Sequence, residues 1–136
     1  MLGRLIKQAG NALAQEMNEF ARQYNLTGTQ MSIIDFLGNF PGNNCDQQAI
    51  EKEFAIKRST TAVLLQRMVK KGLVIQRPAS DDHRRKVVIL TEKGQQLFPI
   101  VNAYIKNEEA KMISQLSDKD EATIISFLRR IIKEDA

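Results

Sequence analysis

The strongest constraint on this chain is a change of hydrophobic period between residues 59 and 90. From Ser59 to Lys71 the pattern is helical, with Thr61, Leu64, Leu65 and Met68 on one side of a wheel drawn at about 100° per residue. Gly72, the residue favoured just past a helix C-terminus, ends it. The period then becomes that of a strand in Leu73-Val74-Ile75-Gln76-Arg77. A polar, turn-rich stretch from Pro78 to Arg85 follows, and Lys86-Val87-Val88-Ile89-Leu90 is a second strand. Two strands joined by a charged loop form a hairpin. Upstream, Asp46 is placed to cap a short helix through Ile50 and Phe54, and Ala55-Ile56-Lys57 makes a tight link to the helix at Ser59.

The flanks are helical as well. Leu2, Leu5, Ile6, Ala9, Leu13, Met17, Phe20 and Tyr24 make one continuous stripe. A stripe with so little domain of its own beside it calls for a distant helix or another chain. Thr27 and Gln30 form a T-x-x-Q capping box, each side chain satisfying a free backbone N–H near the other. The helix they open carries Met31, Ile34, Leu37 and Phe40 on its apolar face, with Phe36 at the flank, and Pro41-Gly42-Asn43-Asn44 ends it as a turn. Thr91 caps a long helix bearing Leu97, Ile100, Val101, Tyr104, Ile105, Met112 and Ile113, with Pro99 expected to kink it. Ser117 and Asp120 open a last helix carrying Ile124, Ile125, Leu128, Ile131 and Ile132.

Charge concentrates on the central segment. Residues 57–86 hold nine cations and two anions, a net +7, while the remainder of the chain is −3. A mildly acidic body with one basic module points to a polyanion docking there. The total of 136 residues suits one compact domain, and 43% hydrophobic residues with 26% charged ones exclude wholesale disorder. No uncharged apolar run approaches the roughly 20 residues of a membrane span. The opening MLGRLIKQAG is broken by Arg4 and Lys7 before a secretory signal develops, and the single cysteine, Cys45, has no internal disulfide partner. The chain therefore reads as cytoplasmic, with Cys45 a small buried residue. The single histidine, His83, excludes a metal site needing two His ligands and leaves little for acid–base work near neutral pH. No nucleophile–base pair, phosphate loop or carboxylate constellation is present. The reading is of a non-enzyme without cofactor or metal.

Two short helices followed by a strand hairpin is the winged helix-turn-helix arrangement. The second helix of such a pair enters the major groove of DNA. The hairpin loop then lies along the backbone or in the minor groove. The basic excess falls on that helix and that loop. The expected fold is thus mainly α with a small β-hairpin wing: a lobe over about 27–90, flanked by dimerisation helices over about 1–24 and 92–136.

The chain resembles the multiple-antibiotic-resistance regulator (MarR) family. The resemblance is carried by Leu26-Thr27-x-x-Gln30, Ser59-Thr60, Lys71-Gly72-Leu73-Val74, Asp82-x-Arg84 and Leu90-Thr91-x-x-Gly94, in that order and spacing. It implies a homodimeric transcriptional regulator on a pseudo-palindromic operator, usually a repressor released by a small organic effector bound between the dimer helices and the DNA-binding lobe. It also singles out Arg84 for the minor groove, with Asp82 orienting an arginine nearby. The chain departs from the family at Ala62-Val63, where Thr-Arg is common, at Lys57, where a capping Ser is common, and at Glu51, where Ala is usual.

The DNA-binding set expected from the residues and the resemblance is Arg58, Ser59, Thr60, Ala62, Val63, Gln66, Arg67, Lys70, Asp82, Arg84, Arg85 and Lys86. Gln66 suits a bidentate pair with adenine, and Val63 or Ala62 a thymine methyl. Arg67 and Lys70 are placed for phosphates, which give affinity without sequence information. The alternative is a winged-helix interaction module whose basic face binds an acidic protein. Long apolar helices at both ends argue against it.

Overall fold

A computed structural model describes residues 1–133; positions 134–136 of the expected C-terminal dimerisation segment lie outside the described residues. The element order is α1 (Leu2–Arg22), α2 (Gly28–Gly38), β1 (Asn44–Asp46), α3 (Gln47–Phe54), α4 (Arg58–Lys70), β2 (Val74–Pro78), β3 (Lys86–Leu90), α5 (Glu92–Ile113) and α6 (Asp118–Ile132). The chain divides into two compact units, Met1–Val101 and Asn102–Ala136, with the division inside α5.

Local signals set most boundaries. Gln30 N donates to Thr27 Oγ1 and Thr27 N donates to Gln30 Oε1, both at 3.1 Å, completing the capping box of α2. Gly28 N donates to Asn18 Oδ1 at 2.7 Å, tying the first turn of α2 to α1. At the end of α4, Gly72 takes φ +74°, Gly72 N donates to Val69 O, and Leu73 N donates to Met68 O. That pair of bonds around a left-handed glycine is a Schellman stop. Asp120 N donates to Ser117 Oγ at 3.1 Å, as expected at the start of α6. The α5 helix continues through Pro99.

Several expectations give way. Phe40, expected on the apolar face of α2, lies past the end of that helix, and β2 is shifted one residue from the expected Leu73–Arg77. The stretch expected to be a turn holds a 3₁₀ turn at Pro41–Asn43 and then a strand, so the hairpin becomes a three-stranded antiparallel sheet in the order β1-β3-β2. Asn44, Cys45 and Asp46 face Ile89, Val88 and Val87. Asp46 does precede α3, but its side chain makes no cap bond to the helix; an arginine of the wing occupies the carboxylate instead.

The core of the first unit lies between α2, α4 and the sheet. Met31, Ile33, Ile34 and Leu37 of α2 meet Ile50 of α3, Leu65 and Met68 of α4, Leu73, and Val74 and Val88 of the sheet, all essentially inaccessible. Each such side chain contributes about 1.5–3 kcal/mol over its exposed state. Phe36 of α2 packs edge-on against Phe54 of α3 at 5.7 Å between ring centroids. Cys45, in strand β1, is buried, and burial together with the neighbouring Asp46 charge pushes its thiol to about 11. It is a protonated, unreactive thiol at neutral pH. No helix among the described residues is long and apolar enough to cross a membrane.

On the single chain, Leu2, Leu5 and Leu13 of α1 are exposed, as are Met112 and Ile113 of α5 and Ile124, Ile125, Leu128, Ile131 and Ile132 of α6. No residue of α6 is fully buried.

Gly94 shows why Leu90-Thr91 is followed three residues later by glycine. A Cβ there would stand 2.5 Å from Leu73 O and 2.8 Å from Leu90 Cδ2. Helix propensity alone favours Ala over Gly by about 1 kcal/mol. Forcing a methyl onto a backbone carbonyl costs more, so Gly94→Ala should lower stability by about 1–3 kcal/mol net. Urea denaturation at fixed chain concentration checks this; an unchanged or raised midpoint would contradict the packing described.

Candidate nucleic-acid interface

The α4 helix is amphipathic about a narrow buried strip. Thr61, Leu65 and Met68 are completely inaccessible, and Thr61 Oγ1 donates to Lys57 O at 2.9 Å, so its hydroxyl is satisfied inside the helix. Leu64, expected to lie with them, is only half-buried; it lines a surface recess with Ser59, Thr60, Val63 and Arg67. The other side of the helix is open. Arg58, Ser59, Thr60, Val63, Gln66, Arg67 and Lys70 are exposed, with Ala62 half-buried among them. Val63 retains 49% of its accessible surface.

Lys57, the residue before α4, offers no side-chain cap. The first-turn amides of Arg58, Ser59 and Thr60 therefore remain available at the positive end of the helix dipole, beside the Arg58 guanidinium. At the other end Lys71 turns inward. Its Nζ donates to Asn25 O at 2.9 Å and to Gln30 Oε1 at 2.8 Å, while Lys93 Nζ donates to Lys71 O at 2.7 Å. Lys71 is thus a structural cation, and it was not in the expected DNA-binding set.

The wing brings its cations next to α4. A recess of about 570 Å³ is lined by Arg58, Ser59 and Ala62 of α4, by Asp46, Gln47, Gln48 and Glu51 before and within α3, and by Arg84, Arg85 and Lys86 of the wing. Residues as far apart in sequence as Asp46 and Lys86 thereby face one space.

The three wing cations differ in state. Arg84 has a 91% exposed side chain whose Nε lies 3.2 Å from Asp82 Oδ1, and its backbone N–H donates to the same oxygen at 3.0 Å. These bonds hold the Asp82 carboxyl below its ordinary 3.8, with the backbone bond the larger cause. The pairing of Asp82 with a nearby arginine matches the expectation. Arg85 is different: its side chain is 37% exposed, and it contacts Asp46 and Asp81 together. Its bonds to Asp81 hold that carboxyl below 3.8 as well. Lys86 makes no ion pair among the described residues and stands exposed at the start of β3.

Sequence reasoning missed Asp46, Asp81 and Gln47 as parts of this surface. Gln47 accepts from Gln76 Nε2 at 3.3 Å and donates to Glu51 at 3.3 Å, linking α3 to β2. Asp81 had a visible signal, standing four residues before Arg85. Asp46 had none beyond its resemblance to a helix cap.

Comparison with known proteins agrees with this geometry. Residues 24–85 match the model of the MarR family. The transcription regulator MarR from Oenococcus oeni PSU-1 is 38% identical and superposes with a TM-score of 0.88 over 98% of this chain and 100% of that one. A MepR–DNA complex from S. aureus, 21% identical, shares the fold with a TM-score of 0.86 over 99% of this chain and 98% of its own. The HTH-type transcriptional regulator FarR of Neisseria gonorrhoeae is 26% identical over 121 residues, which are 89% of this chain and 81% of that protein. The helix pair, the wing and this end-to-end similarity together establish that the chain belongs to the MarR family of transcriptional regulators.

Proposed function

We propose that the protein is a cytoplasmic, homodimeric, DNA-binding regulator that represses from a pseudo-palindromic operator and acts by binding alone, without catalysis. The observation that carries this reading is the shared recess: the outward face of α4 and the wing cations open onto one basic surface, while the opposite face of α4 is sealed in the core. A regulator of the same fold has been crystallised with DNA, which supports the same use of the surface here.

In this reading α4 lies in the major groove. Val63 and Ala62 pack on a thymine methyl, and Gln66 pairs with adenine. Arg58, with the free amides of Ser59 and Thr60, meets phosphate at the helix N-terminus. Arg67, Lys70 and Lys86 hold further phosphates. Arg84, oriented by Asp82, reaches the minor groove, where a narrow A/T-rich stretch enhances the negative potential. The segments over about 1–24 and 92–136 form the dimer contact, supported by the apolar faces of α1, α5 and α6 left open on the single chain.

Three measurements follow from this reading. Sedimentation should find dimers, with folded monomer scarce at micromolar concentration, because burying these faces couples folding to association; a stable folded monomer would reject the dimer. Affinity for a duplex of the DNA flanking the chain's own gene should fall about 10³–10⁵-fold between roughly 50 and 200 mM salt, as expected for 6–10 neutralised phosphates per dimer. Salt-independent affinity would reject DNA binding. Finally, Gln66→Ala should cost about 1–3 kcal/mol on operator and little on a scrambled duplex, whereas Lys70→Ala should weaken both alike and lower the salt slope by roughly 1. Equal loss on both duplexes for Gln66→Ala would show that the helix face is assigned wrongly.

A further inference from the structure

Arg85 occupies a position unlike that of its neighbours. Its Nη1 donates to both oxygens of Asp81, at 2.9 and 3.0 Å, within the wing. Its Nε and Nη2 donate to Asp46 Oδ2 and Oδ1, at 3.2 and 3.5 Å, on the body of the lobe. All three guanidinium nitrogens are therefore engaged, and two carboxylates surround one cation. Asp46 has given up the usual use of an Asp at that place: it is the residue before α3, yet its side chain makes no bond to the helix. The strand ladder between β1 and β3 ends at the pair Asp46–Val87, and the Arg85–Asp46 contact extends that ladder by one side-chain rung just where β1 turns into α3. The backbone closes at the same residue, since Ala79 N donates to Arg85 O and Arg85 N donates to Asp82 O.

We propose that Arg85 is a positioning residue, a strap that fixes the wing to the start of α3 through Asp46, and not a phosphate ligand. The inference rests on the DNA-binding reading above for its consequence, but the strap itself does not. A phosphate approaching Arg85 meets a guanidinium already outnumbered by carboxylates. Arg84 and Lys86, on either side of it in sequence, are the cations left facing outward, and the strap holds them across the recess from Arg58 and Ser59. Breaking it leaves the charges in place but lowers the fraction of molecules whose wing is correctly set, and affinity falls by that fraction.

Two readouts test this on the full-length homodimer. Without DNA, Arg85→Ala and Asp46→Ala should each speed amide hydrogen exchange across residues 79–86 by about tenfold or more, and the double variant should add little, because both remove the same contact. Unchanged exchange in the wing would overturn the strap. With a duplex of the chain's own upstream DNA, each variant should bind about tenfold more weakly with an unaltered salt slope. The sign for Asp46→Ala is decisive. Removing an anion beside DNA tightens binding on electrostatics alone, so weaker binding requires the positioning role. If Arg85→Ala instead lowers the salt slope by about 1 and Asp46→Ala tightens binding, Arg85 is a phosphate ligand and the proposal is wrong. Asp46→Asn, which keeps size and hydrogen-bonding capacity, should lie between wild type and Asp46→Ala in both readouts. If the wild-type protein binds no duplex at all, the DNA reading fails while the exchange measurement still decides the strap.

Discussion

Strand β3 is the piece on which the geometry of the lobe depends. It pairs with β1 along one edge and β2 along the other, and Val88 at its centre is wholly buried. The three residues of β1 are too few to hold a strand unaided. Their pairing with Val87, Val88 and Ile89 fixes where the chain enters α3, and through the left-handed Ala55 link, where it enters α4. The other edge of β3 fixes β2 and hence both legs of the wing. The distance between the outward face of α4 and the wing cations is therefore set by one strand, reached only after a long stretch of chain has been closed into a loop.

Much of this was legible because it is written locally. Thr27 with Gln30, Gly72, and Ser117 each satisfy backbone groups within a few residues of themselves, so their positions announce helix ends. The strand from Lys86 to Leu90 is bounded by a charged loop and a capping threonine, and its limits emerged as expected. What escaped was non-local. Asn44-Cys45-Asp46 has no alternation long enough to signal a strand, and Asp46 looks like a cap because its true partner lies 39 residues away. Leu64 illustrates a third kind of gap. A wheel groups it with Leu65 and Met68, but the sheet and α2 cover only a narrow strip of α4, and the residue at the edge of the apolar arc stays half open. The outward set of Ser59, Thr60, Val63, Gln66, Arg67 and Lys70 was readable as the complement of that strip. The pairing of the wing cations was not, since neighbouring arginines look alike in sequence.

The residues that carry the family likeness divide by what they do. Thr27, Gln30, Gly72, Thr91 and Gly94 build the lobe. Thr91 Oγ1 donates to Gly72 O at 2.6 Å, and Gln30 receives the Lys71 ammonium. They join the ends of α2, α4 and α5 around the Schellman turn. Ser59, Thr60 and Arg84 face outward. A signature weighted towards architecture recognises the fold well and leaves the operator open, because the residues proposed above to read it, Ala62, Val63 and Gln66, lie outside that signature.

Val63, nearly half exposed on α4, is uncharged. In the proposed complex a thymine methyl packed against it is held by dehydration and dispersion, which added ions leave nearly untouched. Phosphate contacts weaken steadily in the same conditions. Rising ionic strength therefore strips away grip faster than it strips away discrimination. In the proposed mode of binding, a surface of this composition becomes choosier as it becomes weaker, and at high ionic strength it releases bulk DNA before it releases a site whose methyl groups fit the helix.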